Sequence, residues 1–280
     1  MELLEVTIEL PQSPRDALLG LLEDLGFRGA QENERGLIIW LRAEDPTSRE
    51  RLDRISDFLS DLREGDPSLR FNISCQNVTD RDWVEAVRRS FRPLQVSPRL
   101  AIRPSWIQYQ VAPRSELLVI DPGMAFGTGG HESTRLMLRL LDERIARGDV
   151  TSVLDVGCGS GILSIACAKL GVARVDGCDT DPEAVSASRE NAVANGVQVG
   201  WAGSIEEFPG PYDLVLANIN HRVLAQLAPA LAVRATRCLA LSGLTREQID
   251  PLLPRYIERG LIPDKRLFEN EWSAVLLKRK

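Results

Sequence analysis

Val153-Leu154-Asp155-Val156-Gly157-Cys158-Gly159-Ser160-Gly161-Ile162 reads as a buried strand, a glycine turn and the first residue of a helix. Such a turn brings backbone N–H groups and a helix N-terminus against a ligand of nucleotide type. Its spacing is Gly-x-Gly-x-Gly with Ile162 next, so the dinucleotide pattern Gly-x-Gly-x-x-Gly is not met. Asp155 stands two residues before the first glycine, where a carboxylate meets a cationic group of a ligand or organises the loop. Asp179 closes the next apolar stretch, 22 residues after Gly157, where a carboxylate can accept both hydroxyls of a ribose. A tight turn serving only the path of the chain is the alternative.

Outward from this loop, apolar strands at Ser152–Val156, Arg174–Asp179, Val197–Ala202, Asp213–Asn218 and Arg237–Ser242 alternate with amphipathic helices. That alternation implies an α/β fold with a doubly wound, Rossmann-like parallel sheet. Leu261–Phe268 and Ser273–Leu277, joined by Glu269-Asn270-Glu271, add a hairpin and bring the strands of this domain, 115–280, to seven. Upstream, residues 81–114 read as a connector: a short helix around Trp83, Val84, Val87 and Phe91, then a stretch kept out of helix by Pro93, Pro98, Pro104 and Pro113. Residues 1–80 carry a strand at Leu3–Leu10, a helix opened by Ser13-Pro14 and closed by Gly26, a strand at Leu37–Leu41, a helix at Asp45–Arg63 and a strand at Leu69–Val78. With room for a short strand at Ala30–Glu34, this order suits a small ferredoxin-like α+β domain.

The 280 residues are 44% hydrophobic and 26% charged, which excludes fibrous and disordered classes. The five cysteines, at 75, 158, 167, 178 and 238, contain no Cys-x-x-Cys pair, and His131 and His221 are the only histidines, so no metal site is expected. The N-terminus is acidic and no apolar run approaches the ~18 residues of a membrane span, so a cytoplasmic protein without membrane attachment is expected. Charge is uneven: residues 1–80 are net −8, 81–114 net +5 and 115–280 net −3, for a total of −6. A net-acidic chain is a poor nucleic-acid binder, and its acidic first domain suits a basic protein partner or simply a solvated face.

Beyond the glycine loop, Asp121-Pro122-Gly123-Met124-Ala125-Phe126-Gly127-Thr128-Gly129-Gly130-His131-Glu132-Ser133-Thr134, Ala217-Asn218-Ile219 and Pro104-Ser105-Trp106 resemble the PrmA family of bacterial ribosomal protein L11 methyltransferases. The family often carries Thr where this chain has Gly130 and Ser133. The resemblance is dense over about residues 80–245 and extends to the first domain only in layout. It implies a class I methyltransferase using S-adenosylmethionine, with Thr134, Gly157, Asp179 and Asn218 in contact with that cofactor, and Asp155 and Gly159 in the same loop system. Phe126, Gly127 and Thr128 would lie in a loop over the methionine moiety. It further implies a protein substrate, ribosomal protein L11, methylated on lysine ε-amines and on the N-terminal α-amine by a monomeric enzyme.

Methyl transfer requires an unprotonated amine in line with the methyl carbon and no dedicated base. Asn218 is the candidate to orient that amine through its side-chain carbonyl. His131 is a second catalytic candidate, as a proton shuttle or acceptor contact, or else fixes the loop by a hydrogen bond at the start of a helix at Glu132–Arg147. Cys158 needs only its small volume to explain it. The alternatives are a related lysine methyltransferase acting on another protein, such as an electron-transfer flavoprotein subunit, a small-molecule amine methyltransferase, a dinucleotide-dependent oxidoreductase, or a non-catalytic binding module.

Overall fold

The structure is a computed structural model that describes residues 2–27, 30–33, 35–42, 45–79, 92–121 and 129–280. The chain divides into two units, Met1–Phe91 and Arg92–Lys280. Of the expected connector, 81–91 with Trp83 lies outside the described residues, and 92–114 belongs to the second unit.

In the first unit β1 (Glu2–Glu9), α1 (Arg15–Asp24), β2 (Gln31–Asn33), β3 (Gly36–Arg42), α2 (Thr47–Gly65) and β4 (Asn72–Thr79) follow one another. The strands form an antiparallel sheet in the order β2-β3-β1-β4. The period of two in β1 and β3 puts Val6, Ile8, Leu37 and Ile39 on one face, where they share a core with Leu18 and Leu22 of α1 and Ile55 and Leu59 of α2. Helix α2 starts two residues later than its sequence suggests, because Asp45 Oδ1 accepts from the Thr47 N–H and hydroxyl and so turns the chain ahead of it.

The second unit opens with three strands, β5 (Leu94–Ser97), β6 (Leu100–Arg103) and β7 (Glu116–Val119), of which β5 is the one the proline-rich sequence hides. They form a small sheet in that order. After α3 (Glu132–Ile145) come β8 (Ser152–Val156), α4 (Ile162–Lys169), β9 (Arg174–Cys178), α5 (Pro182–Asn195), β10 (Gly200–Ala202), β11 (Tyr212–Asn218), α6 (His221–Arg234), β12 (Ala235–Thr245), α7 (Arg246–Ile257), β13 (Leu261–Glu269) and β14 (Trp272–Arg279). The seven-stranded sheet runs β10-β9-β8-β11-β12-β14-β13, parallel except for β14.

Both faces of this sheet are covered, which is why its strands are continuous apolar runs. Val153, Leu214 and Leu216 join one core with Leu136, Met137 and Leu140 of α3 and Ile162 and Ile165 of α4. Their neighbours Leu154, Val215 and Ala217 join the opposite core with Leu224 and Leu231 of α6 and Ile249 and Leu252 of α7. The Asn195 carboxamide closes the edge of β7 as a strand would: it accepts from Val119 N at 2.8 Å and donates to Val119 O at 2.7 Å. Among the described residues no helix is long and apolar enough to cross a membrane, and no cluster of metal-ligating side chains occurs.

Candidate functional site

From β8 the chain winds to β9 and β10 on one side, then returns to β11 and β12 on the other. The carboxyl ends of β8 and β11 therefore flank the point where strand order reverses, the place at which a doubly wound sheet opens a crevice. Gly157 follows β8 there, and Asn218 ends β11.

Gly157 has φ 74° and its N–H donates to Cys178 O at 2.9 Å, so the turn is tied to the end of β9 as it leaves the sheet. A Cβ at this position would lie 2.3 Å from Ile219 Cγ2, so glycine alone lets the loop pass over the end of β11. Across the loop, the Gly159 N–H donates to Asp179 Oδ2 at 2.9 Å, while Asp179 Oδ1 accepts from Asp181 N at 3.0 Å. Both oxygens of this half-buried carboxylate are thus aimed by backbone, and each keeps further acceptor capacity. Asp181 in turn caps α5 through the Glu183 N–H.

Asp155 is wholly buried beneath the loop, where its Oδ2 accepts from Ser164 N at 3.2 Å and Ser164 Oγ at 2.7 Å. Those bonds fix the first turn of α4 to the end of β8, the loop-organising role. Burial pushes the Asp155 carboxyl up to about 7, against the opposing pull of the Ser164 hydrogen bonds, and the Asp179 charge raises it further. Cys158 is also buried, and burial drives its thiol far above the ordinary range, so it is an inert wall rather than a nucleophile.

Thr134 and Asn218 come together from 84 residues apart: Asn218 Nδ2 donates to Thr134 Oγ1 at 3.3 Å. Asn218 Oδ1 is buried without a hydrogen-bond partner, as is Asp155 Oδ1. An unsatisfied carboxamide oxygen at the crevice is costly unless something donates to it. His131 is the N-cap of α3, its Nδ1 accepting from Ser133 N at 3.2 Å and meeting Ser133 Oγ at 2.8 Å. The neutral ring therefore carries its proton on Nε2. Burial holds His131 below its usual range, and its edge packs on Trp272 with ring centroids 4.5 Å apart.

Phe126, Gly127 and Thr128 lie outside the described residues. The residues flanking them are anchored: Asp121 Oδ1 accepts from Ser105 N at 2.6 Å, and Gly129 is buried against Ile102 and Ile162. Two contributors are absent from the expected set. Ile219 packs on Gly157, and Gly243 of β12, with φ 79°, passes so close to Ile219 that a Cβ would lie 2.5 Å from its carbonyl oxygen. The bulge between Leu241 and Leu244 makes that approach possible; the strand expected at Arg237–Ser242 stops one residue short of Gly243, so the approach had no signal in the sequence.

The residues present suit a nucleoside-bearing ligand such as S-adenosylmethionine: an aimed carboxylate at Asp179, a glycine turn open to close approach, and a partly exposed carboxamide at Asn218. The ribosomal protein L11 methyltransferase (PrmA) family profile matches residues 5–280. The chain is 47% identical over 187 residues to the ribosomal protein L11 methyltransferase of Dechloromonas aromatica, a match spanning 66% of this chain and 62% of that protein. It is 35% identical over 300 residues to that of Pelobacter propionicus, spanning 99% of this chain and 97% of that one. The crystal structure of a ribosomal protein L11 methylase from Lactobacillus delbrueckii subsp. bulgaricus superposes with a TM-score of 0.63 at 32% identity, over 68% of this chain and all of that one.

Proposed function

We propose, from the premise that the chain belongs to the PrmA family of ribosomal protein L11 methyltransferases, that it transfers methyl groups from S-adenosylmethionine to amines of ribosomal protein L11. The acceptors are lysine ε-amines, together with the N-terminal α-amine. The observation that carries this reading is the buried, unpartnered Asn218 Oδ1 at the strand-order reversal, beside the glycine loop.

Thr134, Gly157, Gly159, Asp179 and Asn218 would hold the cofactor, with Asp155 organising the loop, and the family resemblance assigns Phe126, Gly127 and Thr128 to the methionine moiety. Bound there, S-adenosylmethionine would supply a sulfonium methyl for in-line attack by an amine lone pair, the C–S bond breaking as the N–C bond forms and S-adenosylhomocysteine leaving with the C–S electron pair. Asp179 receives the ribose hydroxyls. Asn218 Oδ1 accepts one amine N–H and so aims the lone pair along the axis of transfer. A lysine amine, with a pKa near 10.4 in water, loses its proton to solvent as the crevice desolvates it. His131, neutral and tied into the α3 cap, lines the acceptor side through its Nε2–H.

Residues 1–80 recognise the protein substrate, and the second unit, Arg92–Lys280, carries the transfer. The net charge of −8 on residues 1–80 favours a basic partner, and the net-acidic chain argues against a nucleic-acid contact. The enzyme works as a monomer in the cytoplasm.

The test is intact-mass spectrometry of unmethylated L11 after incubation with this enzyme and S-adenosylmethionine. Stepwise additions of methyl mass are expected from the wild type and a much slower series from N218A. No addition, with cofactor binding verified by calorimetry in the same sample, would overturn L11 as the substrate; equal rates for the two proteins would remove Asn218 from the mechanism.

A further inference from the structure

Ser242 and Gly243 stand inside the bulge of β12, where the antiparallel ladder pairs Leu241 with Val275 and Leu244 with Ser273 and skips the two residues between. Two wholly buried hydroxyls take over the hydrogen bonding there: Ser242 Oγ donates to Ser273 O at 2.8 Å, and Ser273 Oγ donates to Leu244 O at 2.8 Å. The opposite edge of the bulge meets the wall of the crevice. In the parallel register of β11 and β12, Ser242 is the partner of Asn218, and Gly243 follows it against Ile219. Ser242 Oγ also lies 3.3 Å from the carbonyl oxygen of Ser133, one residue before Thr134. The bulge thus touches both chain segments that meet in the bond from Asn218 Nδ2 to Thr134 Oγ1. We propose that Ser242 and Gly243 form a positioning element of the cofactor site: they act through Thr134 and Asn218, fixing the start of α3 against the end of β11.

Gly243 makes the firmer contact. A Cβ there would lie 2.5 Å from Ile219 O and 2.8 Å from Ile219 C, about 1 Å inside an ordinary contact. These are backbone atoms with no rotamer to turn aside, so an added carbon displaces the peptide of Ile219. The Ile219 side chain is already pressed against Gly157 and gives no room on that side. The displacement is therefore taken up at the end of β11, in the main chain of Asn218. Ser242 makes the lighter contact: its hydroxyl steadies Ser133 in the first turn of α3 while its strand pairing steadies Asn218. A bulge re-aims the residues beside it, and here the residues it aims are the two joined across 84 positions of sequence.

The inference rests on the reading of Thr134 and Asn218 as cofactor-site residues, and the experiment separates the two. G243A adds the carbon against Ile219, and S242A removes the hydroxyl. G148A is the control, because Gly148 has φ 78° against 79° for Gly243 but open space where a Cβ would go. G243A should weaken S-adenosylhomocysteine binding, read by calorimetry, about tenfold or more, and lower kcat on L11 by up to about 100-fold, the scale of a misplacement of about 1 Å. S242A should move both in the same direction by about three- to tenfold, and G148A should leave both within about threefold of wild type. In an N218A background G243A should change the Kd by less than about threefold, since the group it positions has gone. A readout independent of turnover is the Asn218 side-chain amide in 15N–1H spectra, assigned by its disappearance in N218A. Its signals should shift in G243A and S242A and stay in place in G148A. An equal loss of binding in G148A, or an unmoved amide, would overturn the proposal, as would an undiminished effect of G243A in the N218A background, which would route the loss through the Gly157 turn. Should G243A fail to fold, S242A carries the same comparisons. If the wild type binds no S-adenosylhomocysteine, the functional reading falls, and the amide signals still decide whether the bulge sets the carboxamide.

Discussion

Replacing Gly157 by alanine perturbs the site through a single added carbon. At φ 74° an L-residue sits in the left-handed region, at a cost of about 1–2 kcal/mol. The new Cβ would lie 2.3 Å from Ile219 Cγ2, where ordinary carbon contacts settle at about 3.5–4.0 Å. Relieving such overpacking costs about 1–3 kcal/mol, for a total of about 2–5 kcal/mol. Because Ile219 follows Asn218, the relief moves the carboxamide or lifts the loop off Cys178 O, and either change weakens the ligand site. Thermal unfolding of G157A should shift down by roughly 2–4 °C per kcal/mol lost, and S-adenosylhomocysteine affinity, by calorimetry, should fall about tenfold or more. The decisive comparison is a double-mutant cycle with I219A, which removes the atom in the way. The left-handed strain then remains and the clash does not, so the two substitutions should show a rescuing coupling of about 1–3 kcal/mol. Strict additivity would refute the reasoning, because the cost would then lie in the backbone alone.

Two further predictions concern pH. Asp155, with its carboxyl raised to about 7, keeps in the folded protein a proton that the unfolded chain releases near the ordinary carboxylate value. The stability it contributes therefore falls as pH rises from about 4 to about 7. D155N cannot titrate, so its melting temperature relative to wild type should climb between about pH 5 and about pH 8, and a constant difference in differential scanning fluorimetry would sink the assignment. His131 runs the other way: burial lowers it from the unfolded 6.5, so its contribution is complete above that value and is lost as pH falls toward the folded one. H131N keeps a capping acceptor without titrating and should gain on the wild type at about pH 5.5 relative to about pH 7.5, whereas H131A should lose about 1 kcal/mol at the higher pH. Parallel curves for H131N and wild type would show that the cap does not titrate.

The parts of the fold legible in the sequence are those decided by short-range pattern. Ser152–Val156 and Arg174–Cys178 stand out because burial on both faces leaves little room for polar residues. The His131 cap and the Asp179 position follow from spacing along one turn or one strand. The strand expected over Val197–Ala202 shrinks to Gly200–Ala202, since β9 pairs with those three residues alone. β5, between Pro93 and Pro98, is invisible locally because its existence depends on pairing with β6. The partnership of Asn218 with Thr134 bridges α3 and β11, and no spacing rule reaches across 84 residues. Ile219 was legible as part of a motif, but its contact with Gly157 belongs to the folded surface of the loop.

The order β12-β14-β13 carries a consequence for how the domain is assembled. β13 is made before β14, yet its hydrogen-bonded partner in the sheet is β14, which lies between it and β12. β13 therefore cannot join the sheet by itself on emerging from the ribosome. It must wait for the following strand and enter as half of a finished hairpin. Until that hairpin docks, Leu239 and Leu241 of β12 border a bare strand edge, a long apolar strand open to other chains. The short turn at Glu269-Asn270-Glu271, with Asn270 at φ 52°, lets the two strands close on each other first, which shortens the time that edge stays open.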